Sequence, residues 1–384
     1  MGTSYIQIDL CIPILLELHR FSHYCYNAPA MDQAAPKNRR YQFWIGILVS
    51  IISLGAIFIF IKPADIIASL KDARIDKLLV TAVTIVLFMF LRAVRWRFML
   101  QGGYAKKRPI PYQTVFHIQN IGYMLGNILP FRLGDIARAV LIGSVPPVTI
   151  LLGLSTMVTE RVFDLLFFVA IFPFALVATS ELPPEIETAV RLVGILAIFA
   201  AAVLIMAANQ RRRAMSIVTN VLNRIKFLDT PKWSIRFDDL LRGLETLTNW
   251  KDGVSLLILS IVVWLPIFAS YYFGMQGLNL QPTIAETIFV VSIAAFSITA
   301  PSSPGQIGVF EAGVTFALAT LLGMPKAQAA SFAFIYHAIN YLVLGILGVV
   351  GIFNIRSTFR NVLDTTRSFS NSRSEKNGIP NEKA

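Results

Sequence analysis

The chain has 384 residues, of which 55% are hydrophobic and only 15% are charged, whereas about 25% of the residues in an average soluble domain are charged. Its hydrophobic residues form blocks of about twenty, the helix length that crosses roughly 30 Å of hydrocarbon. This composition predicts an all-α integral membrane protein, a polytopic helical bundle, and excludes soluble enzymes, nucleic-acid-binding modules and disulfide-rich secreted domains despite a net charge of +12.

Residues 1–40 form a poorly defined leader that precedes the first hydrophobic block and ends in basic residues. Bases beside a span favour the cytoplasmic side, where the thiols of Cys11 and Cys25 stay reduced rather than form a disulfide. A signal peptide is the competing interpretation, but the first ten residues carry no base, and acidic residues interrupt the apolar run. We therefore expect the amino terminus to lie in the cytoplasm.

Charges in the connections predict the topology, because cytoplasmic loops are enriched in Lys and Arg. Residues 92–108 carry six bases and no acid, and the linker 209–252 carries nine bases, so both are predicted to be cytoplasmic. The linker has apolar residues at helical spacing, which fits two helices on the membrane surface as well as a solvated connection. Six blocks are predicted to cross the membrane: 43–61, 78–96, 148–177, 190–208, 254–274 and 329–353.

Two further apolar regions, 114–129 and the pair 283–300 and 309–322, are interrupted or followed by Gly, Pro and polar residues. The loop charges place the segments before and after each of these regions on opposite sides of the membrane, which requires one crossing. A clear span beside each region already makes that crossing. Each region is therefore predicted to turn back as a re-entrant hairpin. Irregular backbone is tolerated at membrane depth only where protein or a water-filled cavity satisfies its polar groups. Eight full spans are the rival topology. The predicted hairpin breakers are Pro130, Gly134, Pro301, Pro304, Gly305 and Gly308.

The two hairpin regions match each other weakly and in the same order, which indicates repeat halves at about 77–180 and 254–354. One hairpin enters from each side of the membrane, so the repeats are predicted to be inverted, an architecture typical of alternating-access transporters. Chance similarity between apolar segments is the alternative. The matched positions are Pro130 with Pro301, Gly134 with Gly308, and residues 160–165 with 336–341.

Several ionisable side chains fall inside these apolar stretches, where a charge costs about 2.5–3.5 kcal/mol at the bilayer centre. Glu160 and Asp164 share one helix face and repel each other unless a base lies between them. A guanidinium fork matches two phosphate oxygens, so the predicted lipid-phosphate-binding residues are Arg132, Arg138 and Arg161. The rest of the predicted intramembrane polar network is Asn127, Asp135, Glu160, Asp164, Gln306, Glu311, His337 and Asn340.

Two plainer interpretations of this network stay open. The charges could serve only to lock helices together, because buried ion pairs are weak evidence of function. Likewise, His337 and Asn340 could relay protons or could simply form hydrogen bonds between helices.

No catalytic or metal-binding pattern stands out in the sequence. The four histidines are not joined at helical spacing by the acids or cysteines that zinc requires, and phosphate-loop and serine-elbow motifs are absent. We therefore predict no catalytic residues, no metal and no cofactor. A membrane-embedded transferase that uses Asp164, Glu160 or Glu311 as a base stays open as an alternative.

Four motifs resemble the transmembrane domain of bacterial lysylphosphatidylglycerol synthase, the multiple peptide resistance factor. They are LRAVRW at 91–96, GNILPFRLGD at 126–135, TERVFD at 159–164 and PGQIGVFE at 304–311. The resemblance covers roughly residues 40–355 and implies a flippase-like domain at 41–355 in the bacterial cytoplasmic membrane. In the family's two-part synthase, this domain moves an aminoacylated phospholipid between leaflets.

The sequence given ends with a polar tail, 356–384, which we expect to be disordered and cytoplasmic. We expect the family's soluble aminoacyl transferase domain to be absent, so an enzymatic activity is less expected than lipid translocation. Relatives that accompany glycosyltransferases or hopanoid enzymes imply a phospholipid, a hopanoid or a polyprenyl-linked sugar as cargo, with a transferase as a potential partner. The alternatives are an enzyme or accessory subunit that presents a lipid for glycosyl or aminoacyl transfer, and a scaffold. Homodimerisation stays open.

Overall fold

A computed structural model of the chain describes residues 39–101, 109–129, 133–146, 148–179, 187–196, 198–199, 250–298 and 303–355. Every regular element in these ranges is helical, which confirms the predicted all-α class. The leader before residue 39, the linker 209–249 and the tail from residue 356 lie outside the described residues. The helices are α1 (Arg39–Phe60), α2 (Pro63–Leu70), α3 (Ile75–Leu100), α4 (Tyr112–Ile128), α5 (Leu133–Gly143), α6 (Ile150–Thr179), α7 (Trp250–Gly277), α8 (Ile284–Ser297), α9 (Val309–Thr315) and α10 (Lys326–Asn354).

The long helices α3, α6, α7 and α10 are each long and apolar enough to cross a bilayer, and they coincide with four of the six predicted spans. The first predicted span, 43–61, coincides with α1 almost to its end, and α2 follows it at an angle of 77°. Pro63 begins α2 and holds Lys62 in an extended conformation, which stops α1 from continuing. Of the predicted span 190–208, the structure describes residues 190–196 and 198–199, which are helical, and the other residues lie outside the described ranges.

The two predicted hairpin regions consist of short helices. In the first, α4 and α5 have 17 and 11 residues, and in the second α8 has 14, all below the roughly 20 needed to span. The second region turns at a short 3₁₀ segment, Pro304–Gln306, before α9 continues as a π-helical turn, Phe316–Leu321. The re-entrant path itself stays a prediction, and Pro130, Arg132 and Pro301 lie outside the described residues.

The pattern of helix neighbours is symmetric between the two halves. The helices α3 and α7 pack against each other, α4 packs on α10, and α8 packs on α6. Within each half, α5 packs on α4 and α6, just as α9 packs on α8 and α10. Exchanging α3–α6 with α7–α10 leaves these neighbours unchanged, as an internal duplication predicts. The inverted orientation of the repeats stays a prediction.

Small residues allow the helices to approach closely, as is common between membrane helices. A Cβ on Gly274 of α7 would lie 2.9 Å from Phe332 and 3.4 Å from Thr81 of α3. In the first half, Gly134 of α5 lies against the backbone of Gly122 and Gly126 of α4. These contacts bring α5 close enough for its polar side chains to reach the interior of the bundle.

Candidate functional site

The helix α3 turns two arginines into the interior and apolar side chains outward. Arg92 and Arg95 are three residues apart, so they share one face, and Arg95 is only 1% exposed. On the opposite side of α3, Leu79 and Val83 are exposed, as suits a surface that contacts lipid. The inward arginines therefore require partners from neighbouring helices.

Two carboxylates of α6 provide those partners. Arg95 Nη1 donates to Asp164 Oδ1 over 2.8 Å, and Arg92 Nε donates to Glu160 Oε1 over 2.8 Å. Arg92 Nη2 also contacts Glu160 Oε1 and lies 3.4 Å from Asp164 Oδ2. Arg92 thus bridges the two carboxylates that the sequence places on one face, and it relieves their repulsion.

A third arginine enters from α5. Arg138 is 1% exposed, and its Nη2 donates to Glu160 Oε2 over 2.9 Å. Its guanidinium carbon lies 3.8 Å from the centroid of the Trp96 ring, a cation–π contact. Its Nη1 donates over 3.3 Å to the Tyr123 hydroxyl, which in turn donates to Glu160 Oε1 over 3.1 Å. Helices α3, α4, α5 and α6 therefore converge on Glu160.

We call Arg92, Arg95, Arg138, Glu160 and Asp164 the arginine cluster. With all five groups ionised, three positive and two negative charges leave a net +1. Three of its buried donors, Arg95 Nε, Arg95 Nη2 and Arg138 Nε, have no hydrogen-bond partner among the described residues, although Arg95 Nη2 lies 3.5 Å from Glu160 Oε1 in an ion pair. A buried donor left unpaired costs about 1–3 kcal/mol. Excess positive charge and free N–H groups give this cluster the capacity to bind an anion.

Arg161 and Asp135 lie at the edge of this region. Arg161 Nη2 is 3.8 Å from Asp135 Oδ1, and their side chains are 49% and 34% exposed. Of the three predicted phosphate-binding arginines, Arg138 is therefore deep inside and Arg161 lies at the rim. Arg132 is outside the described residues.

A second polar group lies in the other half, which we call the Glu–His pair. Glu311 of α9 and His337 of α10 are both buried, and Glu311 Oε1 is 2.6 Å from His337 Nδ1. The other oxygen, Glu311 Oε2, accepts a 2.6 Å hydrogen bond from the backbone N–H of Gly308. The Tyr341 ring meets the His337 ring edge-on at 4.8 Å.

The turn between α8 and α9 lies against the end of α4. Gly305 has a φ of 72°, and a Cβ there would coincide with the Tyr341 hydroxyl and lie 3.0 Å from the Asn127 carbonyl oxygen. Gln306 also has a positive φ, 63°. The predicted breakers Pro304, Gly305 and Gly308 thus form a real interruption, and Gly305 brings it to Asn127 of the other half. Asn340 is half-buried on α10.

The structure corrects one part of the sequence interpretation. Arg92 and Arg95 were assigned to a basic cytoplasmic connection, but α3 continues to Leu100 and buries both side chains in ion pairs. Their three-residue spacing within an apolar helix was the signal that could have revealed them. Tyr123 and Trp96 were also not predicted as site residues. In the described ranges, no three His, Cys, Asp or Glu side chains group as metal ligands.

Comparison with known proteins gives one family and two curated relatives. The family model described as "Lysylphosphatidylglycerol synthase TM region" matches residues 43–348. Glycosyltransferase AglD of Haloferax volcanii is 24% identical over 345 residues, which cover 82% of this chain and 54% of that protein. UPF0104 membrane protein MJ1078 of Methanocaldococcus jannaschii is 25% identical over 242 residues, 62% of this chain and 96% of the relative.

The chain therefore spans about half the length of AglD. No solved structure matches the chain.

Proposed function

The chain belongs to the lysylphosphatidylglycerol synthase TM region family of multi-pass membrane proteins, and from this premise we propose that it translocates an anionic or phosphate-bearing lipid across the membrane. The arginine cluster carries this proposal. It combines a net positive charge with unpaired guanidinium donors inside a bundle of apolar helices. A lipid phosphate supplies both the missing acceptors and the missing negative charge.

Guanidinium chemistry favours phosphate over a bare halide or a neutral headgroup. The fork of N–H donors matches two phosphate oxygens and stays charged at every physiological pH. In the interior, the weaker screening strengthens such contacts. An entering phosphate would first meet Arg161 at the rim and then the free donors of Arg95 and Arg138.

The short helix α5 is the element that would move the headgroup. It carries Arg138 into the cluster and Asp135 to the rim, and Gly134 lets its backbone approach α4 closely. Repeats of opposite orientation would allow the two interrupted regions to open on alternate sides. The symmetric helix neighbours and the contact between Gly305 and Asn127 support this arrangement.

The finer assignments are part of the same proposal. The functional domain covers residues 41–355, with a cytoplasmic linker at 209–252 and both termini in the cytoplasm of a bacterial cell. The cargo is a phospholipid, a hopanoid or a polyprenyl-linked sugar, and a separate transferase would supply or consume it.

Reconstitution in liposomes tests the proposal. A headgroup-labelled lipid is incorporated, and a membrane-impermeant quencher reports the fraction that reaches the outer leaflet over time. We expect Arg138→Gln, which makes the cluster neutral, to slow translocation at least tenfold, as expected for loss of about 1.5–3 kcal/mol from hydrogen bonds to a charged group. Arg74→Gln is the matched control, because Arg74 forms an exposed ion pair with Asp76.

Translocation would be contradicted if vesicles with the wild-type protein moved phospholipid, hopanoid and polyprenyl lipids no faster than vesicles without protein. Equal rates in Arg138→Gln and Arg74→Gln would contradict the role of the cluster.

A second candidate function rests on the similarity to a protein named as a glycosyltransferase. In this alternative, the chain is an enzyme or an accessory subunit that presents the lipid for glycosyl or aminoacyl transfer, with a carboxylate of the cluster as base. Product formation from a lipid acceptor and an activated donor, lost in Asp164→Asn, would favour it.

A further inference from the structure

The Glu–His pair is held between two elements of the second half. Glu311 lies in the first turn of α9, directly after the interrupted segment, and His337 lies in the middle of the long helix α10. Glu311 is 3% exposed, and its two oxygens contact only His337 Nδ1 and the Gly308 N–H among the described residues. Among the described residues, this is the polar side-chain contact that joins the interrupted segment to the neighbouring span.

In the part of the chain that the structure describes, no Lys or Arg forms an ion pair with Glu311. Of the helices packed on α10, α4 has no Asp, Glu, Lys or Arg, and Asp65 of α2 is exposed. Arg92 and Arg95 of α3 are paired with Glu160 and Asp164, and the charged residues of α7, Lys251 and Asp252, lie at its start. Glu286 of α8 is occupied at the helix start by Thr283. The start of α9 also meets Ser50 of α1, which accepts from the Ser303 N–H. Among the described residues, the ion-pair partner of Glu311 is therefore His337 and not an arginine or a lysine.

The other titratable groups near the pair are phenols and a distant imidazole. Tyr341 lies edge-on to His337, and Tyr336 contacts Phe310 on one side and the Ser270 hydroxyl of α7 on the other. The remaining histidine in this part of the bundle, His117 of α4, lies near Gly351, about four turns along α10 from His337. Histidine is the side chain whose charge ordinarily changes between pH 5 and 8.

We propose that the Glu–His pair is a proton-binding site that couples lipid translocation to a proton gradient, an inference that rests on the proposed lipid translocation. In its resting form the pair holds one shared proton between Glu311 Oε1 and His337 Nδ1 and has no net charge. Uptake of a second proton from water forms one new O–H or N–H bond and leaves a carboxylic acid beside an imidazolium, with net charge +1. Release of that proton to water restores the neutral pair.

Uptake of the second proton weakens the contact that closes the segment. The carboxylic acid and the imidazolium then no longer attract each other as opposite charges, and a lone positive charge is expensive within hydrocarbon. The segment with α9 therefore separates from α10 and admits water in the doubly protonated form. It closes again only after the proton leaves, which ties one opening to one proton.

Liposomes with an imposed pH difference test the coupling. We expect a difference of one pH unit to shift the steady-state distribution of the labelled lipid up to about tenfold for one proton per lipid, and to change it in the opposite direction when the gradient is reversed. Glu311→Gln and His337→Asn should abolish this shift while leaving exchange without a gradient detectable. Glu286→Gln is the matched control and should keep the full shift.

A wild-type protein that translocates lipid with no response to the gradient would overturn the coupling and leave the proposed function intact. Absence of any translocation would instead overturn the proposed function. The coupling is then decided by amide hydrogen exchange of residues 303–322 at pH 5.5 and pH 8, corrected for intrinsic rates. We expect at least tenfold less protection at the lower pH in the wild type and no change in Glu311→Gln; equal protection at both pH values in the wild type overturns it.

Discussion

In the first half of the bundle, the short helix α5 presents Arg138 to Glu160 on the long helix α6. In the second half, α9 presents Glu311 to His337 on α10. The elements correspond, since α5 and α9 have equivalent neighbours, but the polarity is reversed: a base meets an acid in one half, and an acid meets a base in the other.

The chemistry of the two pairs differs more than their geometry. Glu160 is surrounded by three arginines, which keep their charge at any physiological pH. In the Glu–His pair both members can gain or lose a proton, and the part of the chain that the structure describes brings no arginine or lysine into an ion pair with Glu311. A duplicated scaffold can therefore provide a fixed anion site in one half and a titratable contact in the other.

The largest expected loss of stability comes from a substitution in the arginine cluster of the first half. Glu160→Gln leaves three arginines facing only Asp164, and an uncompensated buried charge costs about 3–5 kcal/mol. We expect the free energy of unfolding in mixed micelles to fall by that amount. Glu187→Gln, which removes an exposed pair with Arg191, should change it by less than about 1 kcal/mol. Similar losses in the two variants would show that the cluster does not stabilise the bundle.

The second largest expected loss of stability comes from a substitution at the turn between α8 and α9 in the second half. Gly305→Ala places a Cβ on the Tyr341 hydroxyl and forces alanine to a φ of 72°, so we expect a loss of about 1–3 kcal/mol of unfolding free energy. Gly323→Ala shares the strain, with a φ of 64°, but has open space around it. The difference between these variants measures the contact with Tyr341. No difference would mean that the turn does not rest on that ring.

The same substitution in the Glu–His pair should cost less than in the arginine cluster. Glu311→Gln keeps a carbonyl oxygen that can accept from Gly308 or from His337, and it leaves no fixed charge unpaired. We expect a loss of about 1–2 kcal/mol, where the range for a hydrogen bond between neutral groups, about 0.5–1.5 kcal/mol, meets the range for one to a charged group, about 1.5–3 kcal/mol. A loss as large as that of Glu160→Gln would remove the distinction between the two halves.

The smallest expected effect concerns the hydroxyl that links two members of the cluster. Tyr123→Phe removes the contacts with Arg138 Nη1 and Glu160 Oε1 but keeps the ring. We expect about 0.5–1.5 kcal/mol of destabilisation in the same assay. An unchanged free energy of unfolding would indicate that the Tyr123 hydroxyl does not contribute to the pairing of Arg138 with Glu160.

Four long helices followed directly from runs of apolar residues, because helix length and hydrocarbon thickness are linked. The interruption at 304–308 could also be predicted from its glycines, since Gly305 and Gly308 adopt positive φ values that suit glycine. The three-residue spacing of Arg92 and Arg95 indicates a shared helix face but not its burial, because bases near the end of an apolar helix resemble those of a cytoplasmic loop. Only the partners supplied by α6, distant in sequence, decide between the two environments.

The pairing of Glu311 with His337 illustrates the same limit. The sequence placed both residues in the polar network, but their contact depends on how α9 packs on α10 across 26 residues of chain. Tyr123 and Trp96 were not predicted because an aromatic residue in an apolar helix carries no sign of a polar partner. Their roles become visible only when Arg138 enters from α5.

Equilibrium binding of a phosphate-bearing lipid tests the central claim most directly. The purified protein in detergent is offered a radiolabelled phospholipid and, separately, the same diacyl lipid without its phosphate. We predict at least a tenfold preference for the phosphate-bearing lipid in the wild type and in Arg74→Gln, and loss of that preference in Arg138→Gln. Equal retention of both lipids by the wild-type protein would contradict an anion site at the arginine cluster.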